Sequence, residues 1–124
     1  MLVINGKIFT MEGKPIDNGF VQIKKNLIEE TGEMSALKNT KNEKILDVHG
    51  AWVMPGLIES HAHIGITEEK WGVIGDDSNE QTNPSTATLR AIDGINPMDP
   101  AFHDAIEAGI TSVMAGPGSA NVIG

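Results

Sequence analysis

Two short apolar runs, "LIESH" (Leu57–His61) and "ITSVMA" (Ile110–Ala115), stand on either side of one well-marked helix. Asp99 precedes that helix, where a carboxylate accepts from free amides, and Pro100 opens it without an amide to leave unpaired. Phe102, Ala105 and Ile106 share one face, Asp104 and Glu107 point outward, and Gly109 stops the helix after Ala108. A strand followed by a helical crossover and a second strand is the unit of a parallel α/β sheet. The apolar flanks of Leu57–His61 predict a strand buried on both faces. The second strand comes close to Gly124, so its free edge is expected to be covered by the remaining part of a larger barrel or by another chain.

The residues before Gly56 follow a different grammar, of short strands and tight turns. Asn5-Gly6 between "LVI" and "KIF" predicts a two-residue hairpin, because Asn-Gly readily takes positive φ. Phe20–Lys24 and Leu27–Thr31 flank Lys25-Asn26 as a second strand pair, and "KILDVHGAWVMPG" resumes extended structure. "GEMSALKNTKNEK" is polar and reads as a loop with one helical turn. Further on, the unpatterned stretch from Gly65 to Asn83 is long enough to line or cover a site. Asn83 and Pro84 then predict a helix start in "NPSTATLRAI".

Composition narrows the chemistry. The 124 residues carry a formal net charge of −8, and their lysines form no stripe, which excludes a phosphate-backbone surface and thus a nucleic-acid partner. No apolar run approaches the roughly 18 residues of a membrane span, and the N-terminus lacks a secretory pattern. With no cysteine, disulfides and thiolate chemistry are absent, and the expected compartment is the cytoplasm. The acidic group Glu68, Glu69, Asp76, Asp77 and Glu80 reads either as a solvated loop or as the wall of a cation-containing pocket. Trp52 and Trp71 read as core aromatics, and the scattered methionines as filling.

His61 and His63 are the centre of the functional reading. Alternation along a strand directs both to one face, with Cα atoms about 7 Å apart, so two imidazoles can converge on one divalent ion. Imidazole favours Zn, Co, Fe or Ni over calcium, and a catalytic zinc site needs a third protein ligand. The pair lies at the carboxyl end of the first parallel strand, where α/β folds collect functional groups. Glu59 shares that face and is read as orienting an imidazole or as pairing with a basic group. Asn79 and Glu80 belong to the loop over the expected mouth. Gly116, Gly118, Ser119 and Asn121 follow the second strand and form either a plain turn or a ligand-contacting loop. Arg90 and Asp93 are read as a structural pair. His49 is read as a contact within the first lobe and His103 as a polar helix residue.

The run "VMPGLIESHAH", Val53–His63, resembles the start of the metal-dependent amidohydrolase superfamily, in which a "PGLID-x-H-x-H" strand leads from a β-sandwich lobe into a (β/α)8 barrel. "NGKIFTMEGKPIDNGFVQI" and "KILDVHGAWVMPG" resemble the sandwich strands of that superfamily. Residues 76–124 resemble its imidazolonepropionase-related branch. Glu59 departs from the aspartate usual in the motif.

The resemblance implies that residues 1–54 are the N-terminal part of a composite β-sandwich domain. Residues 55–124 would then be a truncated start of the barrel. His61 and His63 would be first-strand ligands of one or two divalent ions, zinc first, with Fe, Mn, Co or Ni as alternatives. The complete protein would hydrolyse a non-peptide C–N bond of a cyclic amide or related small molecule with metal-activated water. The general-base aspartate and the other ligands would come from strands downstream, so no catalytic residue is expected in this segment. The segment alone is expected to be inactive and to bind metal weakly, and the complete protein to be a homo-oligomer. The alternatives are a noncatalytic binding or scaffolding module and a deaminase or dipeptidase of the same superfamily.

Overall fold

In the computed structural model, residues 1–38 and 43–120 are described, together with the backbone of 122–123. The chain divides into two compact units, Met1–Pro55 and Gly56–Gly124. Among the described residues no helix is long and apolar enough to cross a membrane.

The first unit is a five-stranded sheet. Strands β1 (Leu2–Ile8), β2 (Ile16–Lys24) and β3 (Leu27–Glu33) pair antiparallel in the order β3-β2-β1. On the other edge of β1 lie two parallel strands, β4 (Ile45–Asp47) against residues 2–4 and β5 (Trp52–Val53) against Lys7 and Ile8. Lys25 and Asn26, with φ of 49° and 64°, make the two-residue turn expected between β2 and β3. A single 3-10 turn, Met34–Ala36, is the helical piece of the following polar loop. The rest of that loop, 39–42, lies outside the described residues.

The hairpin expected at Asn5-Gly6 does not form; β1 runs straight through it. Asn5 takes φ 57° but Gly6 stays out of the positive region, so one residue is inserted instead of a turn being made. Register shifts accordingly: Val3 faces Val21 while Gly6 faces Gly19, a bulge of one residue in β1. The bulge sits where β4 gives way to β5. There Gly50 N donates to Asn5 O at 2.6 Å and Asn5 Nδ2 donates to Asp47 Oδ2 at 2.9 Å. Tertiary pairing has absorbed a local turn signal.

Val3, Ile8 and Val21 form the buried cluster of this unit, with Ile16, Ile23, Val48 and Val53 packed around it. Leu2 and Phe20 are also fully buried. Trp52 is not core: it is 72% exposed, its ring tilted against Phe9 at 5.1 Å between centroids. An edge position, paired on one side only, leaves its indole in solvent.

The second unit has mixed β/α topology. Strands β6 (Leu57–Ala62) and β8 (Ile110–Ala115) pair in parallel, and β7 (Ser85–Thr86) pairs in parallel with β9 (Val122–Ile123). Helix α1 (Ala91–Gly94) is one turn, and α2 (Pro100–Glu107) is the crossover helix. This open two-stranded sheet with its crossover helix is consistent with part of a (β/α)8 barrel.

Four expectations change here. Asn83 Oδ1 accepts from Ser85 N at 2.9 Å, yet no helix follows, because Ser85 and Thr86 are held extended against Val122 and Ile123. The inward face of α2 is Ala101, Phe102 and Ala105, with Ile106 turned to solvent. The strand flanks are not buried: Ile58 is 75% exposed, since a two-stranded sheet has little to cover it. Trp71, at 65% exposure, is likewise no core residue.

Two measurements test the packing of the first unit. A Cβ on Gly19 would lie 2.9 Å from Gly32 O and 2.7 Å from Ile8 Cγ1, and backbone cannot retreat as a side chain does. Gly19→Ala is therefore expected to lower stability by about 1–3 kcal/mol in denaturant unfolding, with the fold retained. Asp47 is held below the usual carboxylate range by the amide of His49 first and by Asn5 second. A depressed folded-state pKa stabilises above the unfolded value, and that contribution is lost as pH falls below about 4. Asp47→Asn is expected to flatten this acid-side loss in unfolding midpoints measured from pH 6 to pH 3.

Candidate metal centre

The carboxyl end of β6 is where the two histidines stand. Glu59 faces Val113 and Ala62 faces Ala115, so β6 carries one more residue than β8 across this interval. Such a bulge bends the strand and re-aims the side chains that follow. The rings of His61 and His63 lie 5.4 Å apart between centroids, edge to face at 80°. His61 is exposed and His63 half-buried.

His63 is tied to the second strand. Gly116 N donates to Ala62 O at 3.0 Å, continuing the parallel ladder, and Gly116 O lies 2.7 Å from His63 Nδ1. A carbonyl oxygen can only accept, so Nδ1 carries the proton and Nε2 of the neutral ring keeps its lone pair. This is the arrangement in which imidazole is ready to ligate, its other nitrogen fixed by a hydrogen bond. Gly116, read from sequence as loop, thus supplies its backbone oxygen to the pair.

Glu59 Oε1 accepts from His61 N at 2.9 Å. Its carboxylate therefore restrains the backbone between the histidines.

The turn after His63 is fastened by Asp99. Its Oδ1 caps α2 through Ala101 N at 3.1 Å, as expected, while its buried Oδ2 accepts from Gly65 N at 2.9 Å. Gly65 has φ 79°, and a Cβ there would meet the Phe102 ring at 2.8 Å. Sequence pattern identified the cap; the second bond joins residues 34 apart and leaves no local signal.

The acidic loop spends much of its charge on itself. Asp76 is held below its ordinary pKa chiefly by the Ser78 hydroxyl, then by the Ser78 amide, with Thr67 contributing less. Glu80 is held low in the same direction by the Thr82 hydroxyl and amide, at 2.6 Å each. Glu68 accepts from Asn96 Nδ2 at 2.7 Å. Asn79 and Glu80 line an open cleft of about 520 Å³ with Gln81–Pro84 and Ala120, and neither histidine is part of its wall. Ser119 is exposed on the loop after β8, and Asn121 lies outside the described residues.

Other sequence candidates are resolved simply. Arg90 grips Asp93 through two bonds of 3.1 and 2.9 Å, the structural pair expected. His49 Nδ1 stands 3.3 Å from Asp47 Oδ1 within the first unit. His103, Asp104 and Glu107 bring ligating atoms within 4.8 Å of one another on the exposed side of α2, a His/Asp/Glu cluster consistent with a divalent-metal-binding site. Its one-turn spacing along a helix makes it separate in kind from the strand-end pair.

Comparison with known proteins agrees with the strand order. No family model matches the chain. The crystal structure of an amidohydrolase from Thermotoga maritima MSB8 superposes with a TM-score of 0.87 at 38% identity, covering 97% of this chain and 30% of that one. The chain belongs to the metal-dependent amidohydrolase superfamily. Amidohydrolase tasK of Hapsidospora irregularis is 33% identical over 107 residues, 86% of this chain and 11% of that protein. A 5-methylthioadenosine/S-adenosylhomocysteine deaminase of Bacillus cereus (strain AH820) is 28% identical over 63 residues, 49% of this chain and 14% of that protein. This amidohydrolase-superfamily chain thus spans 11% to 30% of the proteins it matches here.

Asp99 tests how the superfamily's strand end is held in this chain. Asp99→Ala removes the helix cap and leaves the buried Gly65 amide without its acceptor. The expected loss is about 1–3 kcal/mol in chemical unfolding. Asp99→Asn, which retains one acceptor oxygen for the cap, should lose less.

Proposed function

We propose that this chain is the N-terminal part of a metal-dependent hydrolase acting on a non-peptide C–N bond of a small molecule. Residues 1–54 belong, in this reading, to a composite β-sandwich lobe, and residues 55–124 to the first βα units of a (β/α)8 barrel completed by further sequence. His61 and His63 ligate a divalent ion, zinc first, with Fe, Mn, Co or Ni as alternatives and one or two ions in the whole site. The observation that carries this is the His63 Nδ1 contact to Gly116 O, which leaves Nε2 available beside the His61 ring. Bound there, a divalent ion supplies Lewis acidity and lowers the pKa of a water.

In this chain His63 presents Nε2, Glu59 restrains the His61 backbone, and the remaining ligands and the general base belong to strands beyond Gly124. A ring-opening hydrolase of cyclic amides is the favoured reaction, with the imidazolonepropionase-related branch supported by the resemblance of residues 76–124. A second reading is deamination, favoured by the similarity of about half the chain to the Bacillus deaminases. The protein works in the cytoplasm as a homo-oligomer, on this reading.

Zinc titration of the full-length protein by calorimetry tests the ligand assignment. His61→Ala and His63→Ala are each expected to weaken binding by about 100-fold or more, beyond what loss of an outer-shell partner costs. Unchanged affinity in the double variant would overturn it. Turnover of cyclic amides, N-acyl amino acids and aminated bases separates the reactions, because only deamination releases ammonia from an exocyclic amine. The 124-residue chain alone is expected to show neither turnover nor metal retained after dialysis.

A further inference from the structure

The long connection after β6 grips the loop after β8 through Ser78 and Asn79. Gly118 N donates to Ser78 O at 2.7 Å. Asn79 Oδ1 accepts from Ala120 N at 3.2 Å, and Asn79 Nδ2 donates to Ser78 Oγ at 3.1 Å. Ser78, itself buried, is braced from behind by Asp76, whose Oδ1 accepts from the Ser78 hydroxyl and amide at 2.5 and 3.1 Å. The fit is close: a Cβ on Gly118 would stand 2.3 Å from Asn79 Nδ2.

Two residues before Gly118 is the carbonyl that accepts from His63. Gly116 N is fixed to Ala62 O on one side, and Gly118 N is fixed to Ser78 O on the other. Between these anchors lies Pro117, whose ring restricts its own φ to a narrow range. The peptide plane between Gly116 and Pro117 is therefore held from both ends, and its oxygen has little freedom to turn away from His63 Nδ1.

We infer that Asn79 is a positioning residue for His63. By clamping residues 118–120 it fixes the Gly116 carbonyl, and that carbonyl keeps the imidazole proton on Nδ1 and the lone pair on Nε2. Asparagine suits the position because one amide accepts from Ala120 N while donating to Ser78 Oγ. An aspartate would keep the first bond but would place a second carboxylate beside Asp76. The consequence for metal binding rests on the ligand role proposed for His63; the tautomer itself does not.

The test is ¹⁵N-histidine NMR of the full-length protein, metal-free, near pH 8, where an ordinary imidazole is neutral. Wild type is expected to show His63 in the Nδ1–H form. Asn79→Ala is expected to give a mixture of tautomers and about 10-fold weaker zinc binding, with cooperative unfolding retained. Gly118→Ala, which drives a methyl into the Asn79 amide, should shift the tautomer in the same direction and serves if Asn79→Ala fails to fold. The double variant should be no worse than Asn79→Ala, because the methyl then enters vacated space. An unchanged Nδ1–H form in both folded single variants overturns the inference. A tautomer shift with no change in zinc affinity upholds the clamp and overturns the ligand role of His63 instead.

Discussion

The parallel pairing of β6 with β8 is the constraint on which the candidate site depends. Its last backbone bond, Gly116 N to Ala62 O, brings the end of one strand beside the start of the loop following the other. Only because the strands run parallel do both carboxyl ends meet, so a backbone oxygen from beyond β8 reaches the imidazole at the end of β6. An antiparallel partner would put the beginning of a strand there. The choice of the Nδ1–H form of His63 is thus a consequence of topology.

Around that pairing, polar side chains hold irregular backbone in place. Asp99 bridges the cap of α2 and the Gly65 turn, Asp76 gathers Ser78 and Thr67, and Glu59 restrains the His61 amide. Each carboxylate accepts from groups that a helix or strand would otherwise satisfy, which is how a long connection becomes ordered without regular structure. The acidity that distinguishes the chain is therefore largely structural in this loop. Aliphatic side chains contribute less here: Ile58, Ile106 and Met114 remain exposed in the second unit, and its strand flanks lie open.

Legibility from sequence followed the range of the interactions. The Asp99–Pro100 helix start, the Lys25-Asn26 turn and the Arg90–Asp93 pair depend on neighbours a few residues apart, and each appears as expected. Asn5-Gly6 and Asn83-Pro84 carry equally strong local signals and were overruled. At Asn5 the chain found partners in Asp47 and Gly50, and at Ser85–Thr86 in Val122–Ile123. In both places strand pairing across a long sequence separation replaced the local turn or helix.

The sequence by itself brought His61 and His63 together at a strand end, because the two-residue period of a β-strand aims alternate side chains alike. It also pointed to Ile110–Ala115 returning in parallel, since strand, helical crossover and strand make the unit of a parallel sheet. What only the tertiary structure decided is the state of the pair: which nitrogen of His63 is free, what restrains His61, and which loop stands behind Gly116. Those depend on a carbonyl 53 residues away and on the clamp at Ser78 and Asn79, contacts that no local pattern encodes.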